Sequence, residues 1–108
     1  MTEVRSELEE TSPGICRFLL EAKGHATGSV EACAGISALF TALHSYLINA
    51  KDYIRDIEIE TNEDGYYRIE FEGDETAFTA YMVILSGLLS IEKGYPDFIR
   101  VKRKIIEK

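Results

Sequence analysis

Hydrophobic and polar residues alternate from the start of the chain. Between Glu3 and Glu10, Val4, Ser6 and Leu8 fall on one side and Glu3, Glu7 and Glu9 on the other. The alternation sharpens from Ile15 to Lys23, where Cys16, Phe18, Leu20 and Ala22 oppose Arg17, Glu21 and Lys23. A period of two is the mark of a half-buried strand. Ser12-Pro13-Gly14 between the two runs is a turn signal, so the chain opens on a hairpin. The same pattern returns from Asp52 to Thr61, with Ile57 and Ile59 set against Asp56, Glu58 and Glu60. Tyr66 to Glu72 follows, with Tyr67, Ile69 and Phe71 inward. Asn62-Glu63-Asp64-Gly65 joins these runs as a tight turn and makes a second hairpin. Asp97 to Ile106 reads as a last strand, with Ile99, Val101 and Ile105 on one face.

Two other segments carry the helical period. Ile36, Phe40, Leu43 and Leu47 form an apolar stripe on a helix running to about Asn49. Ser29 is suited to cap it, because a serine hydroxyl accepts a hydrogen bond from a first-turn amide. Asp74 opens the second helix, Glu75 favours its dipole, and Gly94 followed by Tyr95-Pro96 stops it. The predicted order is β-β-α-β-β-α-β. Its economical packing is an α+β two-layer sandwich, with both helices on one face of a mostly antiparallel sheet. A chain of 108 residues fits a single domain, 1–108.

Composition narrows the function classes. With 45% apolar and 29% charged residues the chain reads as an ordinary soluble globule. A formal charge of −7 argues against non-specific nucleic-acid binding, which needs lysines and arginines to neutralise phosphates. The one basic cluster, Arg100, Lys102, Arg103, Lys104 and Lys108, reads first as a solvated strand face or tail and second as a binding patch. Met1 to Glu10 has no apolar core and is not read as an export signal. The uncharged run nearest a membrane span, Thr76 to Ile91 apart from the interruptions at Ser86, Gly87 and Ser90, reads as a buried helix. The expectation is a cytoplasmic protein with no membrane or nucleic-acid partner. Two cysteines and two histidines without paired-ligand spacing suggest neither a disulfide nor a metal site.

Chemistry concentrates at the start of the first helix. A free thiol is mostly protonated at neutral pH, and a helix N-terminus or a neighbouring imidazole favours the thiolate. Cys33 lies at the end of the first turn expected from a Ser29 cap. His25 lies eight residues earlier on a loop flanked by Gly24 and Gly28. The small residues Ala32 and Ala34 leave room for a substrate carbonyl, and first-turn amides are candidate oxyanion donors. Ser37 is one turn beyond Cys33 on the same helical face. Each residue also has a structural reading. Cys33 is only about 20° around the helix from Phe40 and suits a core thiol. His25 suits a solvated loop residue and Ser37 a small packing residue. Cys16 reads as core, and His44 is too far along the helix to pair with Cys33. A redox pair of Cys16 and Cys33 is a third reading.

Gly24-His25-Ala26, followed by Ala32-Cys33-Ala34-Gly35-Ile36-Ser37-Ala38-Leu39, resembles the ribosomal-processing cysteine protease family, Prp. Gly87-Leu88-Leu89 through Tyr95-Pro96 to Val101 is similar to the same family's last helix and strand. The resemblance implies a cytoplasmic cysteine endopeptidase, without a cofactor and homodimeric, that removes the N-terminal extension of a large-subunit ribosomal protein. It implies Cys33 as nucleophile and His25 as base, with Ser37, Gly24 and Ala34 in supporting places. Two features depart from the family pattern. The His-to-Cys loop is about four residues shorter, and Val30 stands where the family carries an aspartate, with Ser29 and Glu31 on either side. These departures motivate an alternative: a non-catalytic, diverged member that binds a ribosomal or other basic protein.

Overall fold

A computed structural model of the chain describes residues 1–24, 28–50, 54–62 and 65–107. His25, Ala26, Asp52, Glu63, Asp64 and Lys108, all used above, lie outside the described residues. The elements follow the expected order: β1 (Thr2–Ser12), β2 (Ile15–Lys23), α1 (Val30–Asn49), β3 (Ile54–Asn62), β4 (Tyr66–Gly73), α2 (Glu75–Gly94) and β5 (Ile99–Ile106). The five strands form one sheet in the order β3-β4-β2-β1-β5. All neighbours are antiparallel except β1 and β5.

The period-two pattern dictates which sheet face is covered. Register places Phe18 opposite Phe71 and Leu20 opposite Ile69, and all four are buried under the helices. Phe18 stacks on Phe71 at 5.1 Å between ring centres and lies 5.0 Å from Tyr81 of α2. From α1, Ile36, Phe40, Leu43 and Leu47 enter the same core. The helices press close to each other, since a Cβ on Gly87 would meet the Leu39 side chain at 2.9 Å. Among the described residues α1 is the one helix long and apolar enough to cross a membrane; its apolar stripe is spent on the sheet.

Three details differ from the sequence expectation. A bulge at Asp56, with φ of 53°, shifts the β3 register between Arg55 and Glu58. The extra residue brings Ile54, Ile57 and Ile59 all against the core, which strict alternation forbids. Ile105 does not join Ile99 in the core: it is 69% exposed, on the edge strand beside an open groove that it lines with Met82 and Leu85 of α2. The opposite sheet face is not merely solvated but a lattice of ion pairs. Arg17 there reaches Glu7, Glu9 and Glu70, and Arg68 reaches Glu70.

Candidate active site

Ser29 begins the site by capping α1. Its extended backbone lets its hydroxyl accept from the Ala32 amide at 3.1 Å. Its carbonyl accepts from the Cys33 amide at 3.2 Å. Cys33 therefore stands in the first turn, as the spacing predicts, and is half-buried. The amides of Ala32 and Cys33 are committed to Ser29, a correction to the expectation that they serve an oxyanion. Val30 and Glu31 carry the first-turn amides that precede any intrahelical bond.

Cys33 opens onto a cavity of about 190 Å³. Ile36 and Ser37 of α1 line it beside the thiol, with Ala22 and Gly24 from the end of β2. Thr2, Asn62 and Tyr67 supply the remaining polar wall. The Tyr67 hydroxyl donates to Ser37 Oγ at 3.4 Å, and the Tyr67 ring stacks on Phe40 at 5.2 Å. Stacking fixes the ring, and the ring aims the hydroxyl at the serine next to the thiol.

The rim is tied down at Gly24 and again at Gly28. Thr2 Oγ1 donates to the Gly24 carbonyl at 3.2 Å. Gly24 has φ of 90°, and a Cβ there would lie 2.7 Å from the Met1 carbonyl oxygen. Gly28 has φ of 96°, with the Phe98 ring 3.1 Å from the place of a Cβ. Both positions require glycine.

The cavity brings together Cys33, Ser37 and Gly24 of the residues singled out from sequence. Ala34 is exposed beside it rather than lining it. Glu31 is exposed and Val30 is 82% exposed, so neither side chain is turned to the interior. Cys16 is half-buried at the far end of β2, six residues from Ala22. At about 3.3 Å per residue that is roughly 20 Å, which ends the redox-pair reading. Among the described residues no cluster of three or more His, Cys, Asp or Glu side chains is arranged to hold a metal. Thr2, Asn62 and Tyr67 were not singled out from sequence. The inward period of β4 marked Tyr67 as facing the helices, but only the strand register shows that β1 and the second hairpin end at the same thiol.

No protein-family model and no curated protein matches the sequence. Solved structures do match. The Streptococcus mutans protein SMU.848 superposes with a TM-score of 0.72 at 21% identity, covering 98% of this chain and 96% of its own. The ribosomal processing protease Prp from S. aureus, in complex with a covalently linked product peptide, gives 0.68 at 21% identity over 94% of this chain and 99% of Prp. The fold is that of Prp. The same protease with a substrate peptide gives a TM-score of 0.66 at 22% identity, over 96% of this chain and all of Prp. At such identities the likeness to Prp carries the architecture, end to end, and the chemistry has to be read from the cavity residues.

Proposed function

We propose that this chain is a cysteine-type endopeptidase that trims a protein substrate, with Cys33 as nucleophile. The observation that carries the reading is the Cys33 thiol in the first turn of α1, opening onto a polar-walled cavity. The Prp fold, seen in S. aureus with a covalently linked product peptide, supports it. His25, the proposed base, follows Gly24 of the cavity wall directly in sequence.

In the proposed reaction His25 takes the proton from Cys33 Sγ. The thiolate attacks a peptide carbonyl and the carbonyl π electrons move onto oxygen. The carbon–nitrogen bond then breaks, the leaving amine takes the proton from His25, and a thioester remains on Cys33. Water, deprotonated by His25, attacks the thioester, releasing the acid and returning the proton to sulfur. In this reaction Ser37, whose hydroxyl accepts from Tyr67, has the role of orienting His25 or the substrate carbonyl. The substrate class follows the fold likeness: a ribosomal protein with a cleavable N-terminal extension. A cytoplasmic setting and a homodimer belong to the same proposal.

The test is incubation of the full chain with such a protein, read by mass spectrometry. A single cut near the substrate's N-terminus, lost in Cys33→Ala, is the expected result; equal cutting by Cys33→Ala overturns it. The exposure of Val30 at the position of the family's aspartate favours the second reading, a non-catalytic binder. That reading requires the substrate to bind and stay whole.

A further inference from the structure

Among the described residues the cations of the strands divide into two sets. On β1 to β4, Arg5, Arg17, Lys23, Arg55 and Arg68 each have a carboxylate within 4 Å. On β5, Arg100, Lys102, Arg103 and Lys104 are all exposed, and none has such a partner among the described residues. Unpaired cations gathered on one strand are unexpected in a protein of charge −7 with 19 acidic residues. Even the acid beside Lys104 in the register, Glu7, turns to Arg5 and Arg17 instead.

β5 is also a sheet edge. The Phe98 carbonyl accepts from Thr2 of the β1 strand, whereas the Val101 amide donates to Glu92 Oε2 at 2.6 Å. Backbone groups alternate sides along a strand, so those of Val101, Arg103 and Ile105 point away from β1. Glu92 shows what this edge takes: a carboxylate already sits on the outward Val101 amide. Beyond it, Arg103 and Ile105 are exposed, and among the described residues no further strand of the sheet pairs with this side of β5. Beside them, Leu8, Met82, Leu85 and Ile105 floor a cavity of about 450 Å³ on the helix face.

We propose that the β5 edge binds an extended acidic segment of a partner protein, added as a sixth strand, with apolar side chains at alternate positions. Main-chain bonds to Arg103 and Ile105 align the segment. Its carboxylates meet Lys102 and Lys104 on the open sheet face, and its apolar residues enter the groove beside Leu85. Lysines on an edge repel neutral or basic strands; toward an acidic strand the same charges become the attraction that selects it. Nucleic acid shares the charge preference but uses neither the strand-edge amides nor the apolar floor. This site is separate from the Cys33 cavity and does not rest on the proteolytic reading.

The experiment is fluorescence anisotropy of a labelled eight-residue peptide alternating glutamate and valine, titrated with the full chain. Saturable binding is expected, weakening as salt rises from 50 to 500 mM on the order of tenfold. Lys102→Glu/Lys104→Glu is expected to weaken it by roughly tenfold or more, with circular dichroism unchanged. Ile105→Pro, which removes an outward amide, is expected to weaken it comparably. A peptide of the same composition with N-methylated valines is expected not to bind. Unchanged affinity in the charge-reversed variant, tighter binding of a single-stranded RNA of equal charge, or self-association of the chain through β5 in sedimentation would each overturn the proposal.

Discussion

A cysteine stands near each end of β2, Cys16 on the strand itself and Cys33 on α1 across the cavity from Ala22, and the two ends are built for different purposes. At the Cys16 end the core rings lie two residues along the paired strands: Phe18 stacks on Phe71 and packs on Tyr81. Burial, with the Glu10 carboxylate beyond it, pushes the Cys16 thiol up. At the Cys33 end the core gives way to a cavity, and the neighbours are Ser37, Thr2, Asn62 and Tyr67. Glycines at positive φ and backbone close approach replace interlocked rings. One end spends its residues on stability; the other holds polar groups and a nucleophile around open space, the usual division between a scaffold and the site it carries.

Removing each thiol in turn should break the comparison most sharply. Cys33→Ala is expected to lower substrate cutting on the order of a thousandfold or more, as loss of a covalent nucleophile does. Cys16→Ala should leave cutting within about twofold, with product formation followed by mass spectrometry. The core end should respond in stability instead. Phe18→Ala removes a fully buried ring and is expected to cost about 3–5 kcal/mol in urea unfolding. Gly24→Ala adds a Cβ against the Met1 carbonyl at positive φ, and should cost about 1–3 kcal/mol while also displacing the cavity rim. The smallest effect belongs to Tyr67→Phe. It keeps the stack on Phe40 and removes only the bond to Ser37, so unfolding should shift by about 1 kcal/mol or less. A several-fold fall in cutting alongside that small shift marks Tyr67 as a positioning residue.

Most of the fold was legible because local periodicity and tertiary burial agree along this chain. The stripe Ile36, Phe40, Leu43 and Leu47 and the inward set Phe18, Leu20, Ile69 and Phe71 are buried as their spacing demands. The caps Ser29 and Asp74 accept from first-turn amides as their side chains suggest. Where the reading departed from the structure, a non-local term intervened. The β3 bulge depends on aspartate tolerating a left-handed φ at Asp56, and nothing in the alternation signals it. Ile105 keeps the apolar pattern but sits on the edge strand, where the groove beside α2 is left open. At the site, Cys33, Gly24 and Ser37 were visible as residue types near one another in sequence. Thr2, Asn62 and Tyr67 were not, because they arrive from three other strands and only register brings them to the thiol.

The central claim is that Cys33, not Cys16, is the reactive thiol, and competitive alkylation tests it most directly. The full chain is treated with iodoacetamide over a series of pH values, and each cysteine is followed by peptide mass mapping. A thiol pushed upward becomes thiolate only at pH above the ordinary thiol range, so Cys16 should label slowly at neutral pH and accelerate late. Cys33, open to the cavity, should label first. Labelling of Cys16 as fast as Cys33 at neutral pH, or a Cys33 that stays inert while Cys16 reacts, would contradict it.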